Sequence, residues 1–159
     1  VIYQAVVRRR VHGLFQQANA GNWEAIVDGL AAEFTYRFVG NTPLGGTRQT
    51  HDAMHRWFER LYRLFPGAAF APQTVVVEGP PWRTTVMTYV LIQGTAPDAN
   101  GDLAPYENEF MQRMVLRWGK VTSVLTLEDT QRFVELLPAL SAFGIEDADA
   151  APITDATAP

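Results

Sequence analysis

Apolar residues recur at spacings of three and four over positions 2–18, at Ile2, Val6, Val7, Val11, Leu14, Phe15 and Ala18. That stripe predicts an amphipathic helix, which Ala20-Gly21 ends. Asn22 is placed to accept backbone N–H groups at the start of a short second helix that turns Ile26, Val27 and Leu30 inward. The period then falls to two. Phe34, Tyr36 and Phe38 alternate with Thr35, Arg37 and Val39, which predicts a strand over 33–39. After the turn cluster 40–46, a third helix is expected over 49–65, with Met54, Trp57, Phe58, Leu61 and Phe65 as its inner stripe and Pro66-Gly67 as its stop. Period-two segments follow over 70–78, 83–94, 105–118 and 120–128, and a last helix starts near Thr130, which Pro138 should kink or shorten. Helices first and a meander of long strands afterwards make the fold class α+β, a curved antiparallel sheet wrapped against three to four helices.

Composition narrows the class of protein. Apolar residues make up 47% of the 159 and charged residues only 19%, enough for one buried core and too apolar for a disordered chain. There is no cysteine, which removes disulfides, thiol nucleophiles and thiolate metal sites. The net charge is −4, but Glu146, Asp147, Asp149 and Asp155 carry all of that excess, leaving thirteen cations against thirteen acids over 1–145. The expected division is therefore a domain over 1–145 and an acidic, mobile tail over 146–159. A balanced body has no basic footprint for nucleic acid, and the run Arg8-Arg9-Arg10 reads as a solvated helix face. No apolar stretch approaches the ~20 residues of a bilayer span, and no leader pattern opens the sequence, so we expect no membrane partner and a cytoplasmic location.

Familiar catalytic signatures are missing: there is no Gly-x-Gly-x-x-Gly, no phosphate-binding Walker loop and no Gly-x-Ser-x-Gly. His51 and His55 share a helix face, but without a third ligand they read as surface residues rather than a metal site. Asp129 closes an apolar strand just before the last helix. A carboxylate there either caps the helix or, aimed into an apolar cavity, has its pKa raised by desolvation and serves as a general base. Asn108 and Gln112 share strand parity with Phe110 and Met114, and Tyr36 lies between two phenylalanines. Polar groups so placed need partners in the core or on a ligand. Trp57, Trp82 and Tyr89 are candidates to wall an apolar pocket.

Several short segments, in this order, resemble the SnoaL-like and ketosteroid isomerase-like members of the nuclear transport factor 2-like superfamily. They are Asn19-Ala20-Gly21-Asn22, Phe34-Thr35-Tyr36-Arg37-Phe38, Thr42-Pro43-Leu44-Gly45-Gly46, Tyr106-x-Asn108, and Trp118-Gly119-Lys120-Val121 leading to Leu127-Glu128-Asp129-Thr130. The resemblance covers about 5–140 and implies a cone-shaped sheet enclosing one apolar pocket. Relatives use that pocket for aldol cyclisation, steroid isomerisation, epoxide hydrolysis or binding alone. Asp129 is similar to the terminal-strand aspartate that acts as base in SnoaL-like cyclases, and Tyr36 to the water-holding tyrosine of the epoxide hydrolases. Phe38 in place of an asparagine, and the lack of an Arg-x-Asp pair over 83–94, count against epoxide hydrolysis. Leu14, Arg37 and Gln112, at the positions of the steroid isomerase machinery, count against that activity too.

The expected catalytic set is thus Asp129, Tyr36 and Gln112, with Phe38, Trp57, Leu61, Tyr89, Asn108 and Phe110 as pocket walls. That set suits proton abstraction next to a carbonyl in a hydrophobic small molecule, with Gln112 or Tyr36 holding the oxyanion and no metal or organic cofactor required. The alternatives are a non-catalytic binder of an apolar small molecule and a structural dimerisation module. A homodimer would use the outer sheet face around Arg113, Val115 and Arg117.

Overall fold

The stripe on the first segment winds into α1 (Ile2–Asn19), and the short α2 (Glu24–Asp28) follows it in the computed structural model, which describes residues 1–156. Then come β1 (Leu30–Phe38), β2 (Gly46–Arg48), α3 (His51–Leu64), β3 (Ala69–Glu78), β4 (Thr84–Pro97), β5 (Leu103–Arg117), β6 (Lys120–Glu128) and α4 (Thr130–Ala142). The predicted elements are all present, with boundaries shifted by a few residues. Asn22 does not cap α2, because its amide donates to Gln17 Oε1 and Trp23 holds the cap position. Thr50 caps α3, its hydroxyl accepting from Ala53 N at 3.2 Å. α4 continues for a turn beyond Pro138.

The six strands form one sheet in the order β2-β1-β6-β5-β4-β3. All pairs are antiparallel except β1 with β6, which run parallel, a departure from the antiparallel sheet expected. Register shifts interrupt β1–β6, β3–β4 and β5–β6, and such bulges bend a sheet and sharpen its twist. The curved sheet wraps its inner face around α1, α3 and α4. Val86, Val90, Phe110 and Met114 from the sheet, and Met54, Trp57 and Phe133 from the helices, are buried between them. No helix among the described residues is long and apolar enough to cross a membrane.

The acidic C-terminal segment is not a loose tail. Residues 146–149 form a 3₁₀ turn, and Ala148 and Ile153 are buried. Asp147 bridges Arg60 at 3.2 Å and Arg63 at 2.6 Å on α3. The Asp155 carboxylate accepts from Gln49 N, Thr50 N and Thr50 Oγ1 at the start of α3, where unsatisfied N–H groups favour an anion. Arg48, fully buried, donates to the Ile153 carbonyl at 2.9 Å and lies over the rings of Tyr36 and Trp57. Composition suggested mobility, but Asp147 and Asp155 anchor the segment to α3 and its start, and buried Ile153 accepts from Arg48 on β2. Residues 157–159 of the expected tail lie outside the described residues.

Candidate functional site

Between the sheet and the helices lies a cavity of about 110 Å³. Its walls come from α1 (Val7, Val11, Leu14), β1 (Tyr36), α3 (Phe58, Leu61) and the inner positions of β5 (Phe110, Gln112, Met114, Leu116). A second chamber of about 40 Å³ adjoins it, lined by Phe38, Phe65, Tyr106, Asn108 and Glu128. Leu61, Phe70 and Phe110 border both and form the neck between them.

Tyr36 and Gln112 face the main cavity, where Gln112 Nε2 donates to Thr126 Oγ1 at 2.8 Å. Burial pushes the Tyr36 phenol up to about 12; the nearby Arg48 charge and hydrogen bonding with Thr126 and Gln112 pull it down by less. Leu61 and Phe110 line both chambers, and Phe38 and Asn108 line the second. Trp57 is buried behind this surface: its indole N–H donates to the Leu44 carbonyl at 2.8 Å, and its ring packs on Tyr36 and Phe38. Tyr89 is not on the pocket wall. On β4 the inward residues are Thr88 and Val90, so Tyr89 points to the outer face and its hydroxyl donates to Glu109 at 2.5 Å. His51 and His55 pack edge-on against Phe34 and Trp23, and no group of three His, Cys, Asp or Glu able to hold a metal occurs among the described residues.

Asp129 is exposed and caps α4, its Oδ1 accepting from Arg132 N at 3.2 Å. The carboxyl group that reaches a chamber is the preceding residue, Glu128. It ends β6 directly opposite Phe110 and shares the inward parity of Val124 and Thr126. Its Oε1 is out of solvent and has no hydrogen-bond partner. Burial first, and the adjacent Asp129 charge second, push the carboxyl from 4.5 up to about 8.

Tyr106 and Asn108 share the chamber with it. Asn108 Nδ2 donates to Tyr106 Oη at 3.1 Å and to the Asp129 carbonyl at 3.2 Å, while Asn108 Oδ1 accepts from Glu109 N. The Tyr106 ring stacks on Phe65, and burial together with the Glu128 charge raises its phenol to about 12. A phenol so raised stays protonated at neutral pH, and accepting from Asn108 leaves its own proton free to donate. The chamber therefore combines a carboxyl group able to exchange a proton near neutral pH with a hydrogen-bond donor beside it. Sequence reasoning placed Asn108 here but missed Glu128 and Tyr106. Inward parity with Asn108 and Phe110 marks Tyr106, and cross-strand pairing with Phe110 marks Glu128.

A family model for the SnoaL-like domain matches residues 11–124. No curated protein matches the sequence. Among solved structures, TerC crystallised with polyporic acid superposes with a TM-score of 0.65 at 20% identity, over 79% of this chain and 93% of that one. PrhC from Penicillium brasilianum gives 0.68 at 16% identity, over 87% and 91%. A putative SnoaL-like polyketide cyclase from Jannaschia sp. CCS1 gives 0.61 at 18%, over 83% and 89%. At these identities the likeness establishes the fold and leaves the reaction to be argued from the site.

Proposed function

Because the chain belongs to the family of SnoaL-like domains, we propose that it is a cofactor-independent acid/base enzyme that moves a proton next to a carbonyl in a hydrophobic small molecule. Glu128 is the proton-transferring group. The observation that carries this reading is its carboxyl oxygen, buried beside an apolar chamber without a protein partner and with its pKa raised to about 8.

The substrate lies in the main cavity with its reacting carbonyl past the neck. Ionised Glu128 removes a proton from the carbon beside that carbonyl and becomes the neutral acid. As the electron pair moves onto the carbonyl oxygen, the Tyr106 hydroxyl donates a hydrogen bond to it, and Asn108 fixes the phenol in place. The enolate then takes the proton back from Glu128 at another carbon, giving an isomer, or attacks a second carbonyl in the same molecule, giving a ring whose new alkoxide takes the proton from Glu128. A pKa of about 8 leaves roughly a tenth of Glu128 ionised at pH 7. Weak ionisation is offset by the higher basicity of the carboxylate that does form. Tyr36 and Gln112, set in the main cavity with Thr126, orient the substrate body rather than the reacting carbonyl.

Glu128→Gln tests this reading on a panel of β-ketoesters and polyketide-like ketones followed by loss of the starting enol or ketone absorbance. It should fold normally and lose about 10²–10⁴-fold in kcat, as removal of a general base does. A rate unchanged in Glu128→Gln, for any substrate the wild type turns over, would refute the assignment. Tight binding with no turnover in the wild type would favour the non-catalytic binding protein that the same apolar walls also suit.

A further inference from the structure

Arg10 is the one charged residue on the wall of the main cavity among the described residues, and it stands at a rim where the cavity meets solvent. The run Arg8-Arg9-Arg10 is therefore not a uniform solvated face. Arg8 Nε donates to the Val75 carbonyl on β3, while Arg10 Nη1 donates to the Gly119 carbonyl at 2.8 Å, in the turn between β5 and β6. Gly119 has φ +79°, and a Cβ built there would come to 3.0 Å from Arg10 Nη1. Arg10 forms an ion pair with no carboxylate among the described residues; Asp28, close to this rim in the chain, offers its main-chain carbonyl to Lys120 Nζ. A guanidinium has five N–H donors, and a neutral carbonyl satisfies neither its charge nor its fork geometry.

The shape of the cavity supplies the second half of the argument. Its wall runs along β5 from Leu116 to Phe110, about 20 Å at the ~3.3 Å rise of a strand, and along α1 from Val7 to Ala18, about 16 Å at 1.5 Å per residue. A volume of about 110 Å³ spread along such walls is slender. A compact cavity of roughly 150 Å³ takes a benzene ring, so this smaller one, drawn out along its walls, suits an extended chain that begins at the open rim and takes neither a ring nor a fused polycycle.

We propose that the main cavity takes a slender aliphatic acid, its carboxylate held by Arg10 at the Gly119 turn and its apolar body running along β5 toward the neck. The far end of the chain then enters the chamber of Glu128. This substrate class rests on the reading of the cavity as the substrate site, and the test separates the two.

Binding of decanoate and of decanamide is measured by titration calorimetry at low ionic strength for the wild type, Arg10→Gln and Glu128→Gln, with thermal melts as a check of folding. The wild type should bind decanoate at least ten times more tightly than decanamide. Arg10→Gln should lose that preference with decanamide affinity unchanged, since Arg10 lies on an exposed helix face and its loss leaves the apolar walls intact. Glu128→Gln should bind decanoate within twofold of the wild type, so a failed base assignment leaves this result standing. A fused tricyclic acid should bind at least ten times more weakly than decanoate. Equal affinity for acid and amide in the wild type, an unaltered preference in Arg10→Gln, a tighter tricyclic ligand, or no binding of either chain would each overturn the proposal.

Discussion

At the end of β6 and in the C-terminal segment, this chain keeps carboxyl groups close to its core in opposite electrostatic settings. Glu128 has a buried oxygen with no partner, and burial raises its pKa to about 8. Asp147 is held below the usual carboxylate range by hydrogen bonds and charge from Arg63 and Arg60. Burial pushes Asp155 upward, but hydrogen bonds from Gln49 and Thr50 outweigh it and leave the group lowered. The paired acids contribute to the structure, while the unpaired one costs folding free energy and gains reactivity. A carboxyl group kept without a partner beside an apolar chamber is a poor structural choice, which is why we assign it the chemistry.

The largest effect that would break this contrast is the loss of turnover in Glu128→Gln. The contrast requires that loss, about 10²–10⁴-fold, to come with unchanged or slightly increased stability at neutral pH, because glutamine removes a titrating group that burial penalises. A rate loss accompanied by a large fall in melting temperature would move Glu128 to the structural side of the comparison.

Truncation after Ile145 is expected to have the next largest effect. It removes buried Ala148 and Ile153, one main-chain acceptor each of Arg48 and Arg60, and the anion at the start of α3. Arg60 also loses its pair with Asp147, but the same cut opens it to water, so the fall in the denaturation midpoint comes mainly from the lost burial of Ala148 and Ile153 and the lost hydrogen bonds. Urea unfolding of the truncated chain against the full chain measures this, and an unchanged midpoint would show that the docking contributes nothing to stability.

The alternation of apolar and polar residues made most of this fold legible, because each long strand has one buried and one exposed face. What was not legible has physical causes. β2 is three residues inside a glycine-rich turn, too short to carry a period. The parallel pairing of β1 with β6 joins strands far apart in the chain, and neither it nor the register shift between Leu30 and Thr35 is announced by a local pattern. Asp129 was singled out for its place at the end of an apolar strand and for the resemblance, and place does not fix facing: Val115 pairs with Ser123 and Leu116 with Val121, so Thr122 is an extra residue in β6. That bulge flips the parity, turning Val124, Thr126 and Glu128 inward and Asp129 outward. The C-terminal segment was misjudged because composition reports average polarity, whereas docking depended on the spacing of Asp147 and Asp155 along α3 and of Ile153 against Arg48.

The two regions should also respond to pH with opposite signs. Between pH 4.5 and about 8 the folded state keeps the Glu128 proton that the unfolded chain releases, so stability from this group falls as pH rises through that window. Asp147 and Asp155 have lowered values; their contribution is present above the ordinary 3.8 and is lost as pH falls through their folded-state pKa. Chemical denaturation from pH 3 to pH 9 should therefore show losses at both ends. Glu128→Gln should flatten only the upper limb, and Asp147→Asn should weaken the protein most at neutral pH and less at pH 3. An upper limb unchanged in Glu128→Gln would show that another group titrates there.

The smallest expected effects come from Asp129, and they sharpen the comparison because this residue touches both arguments. As the cap of α4 it accepts from Arg132 N, and asparagine caps about as well as aspartate, so Asp129→Asn should leave stability nearly unchanged, whereas Asp129→Ala should cost about 0.5–2 kcal/mol. Its charge is also the second cause that holds the Glu128 carboxyl up. Neutralising it should make Glu128 easier to ionise and move the rise of kcat/KM toward lower pH, by less than burial alone contributes. Asp129→Asn thus retains turnover and shifts its pH profile, while Asp129→Ala shifts the profile equally and lowers the melting temperature as well. Loss of turnover in Asp129→Asn comparable to that in Glu128→Gln would return the base to Asp129, and a capping residue facing solvent would then have to reach the chamber by rearrangement of the β6–α4 junction.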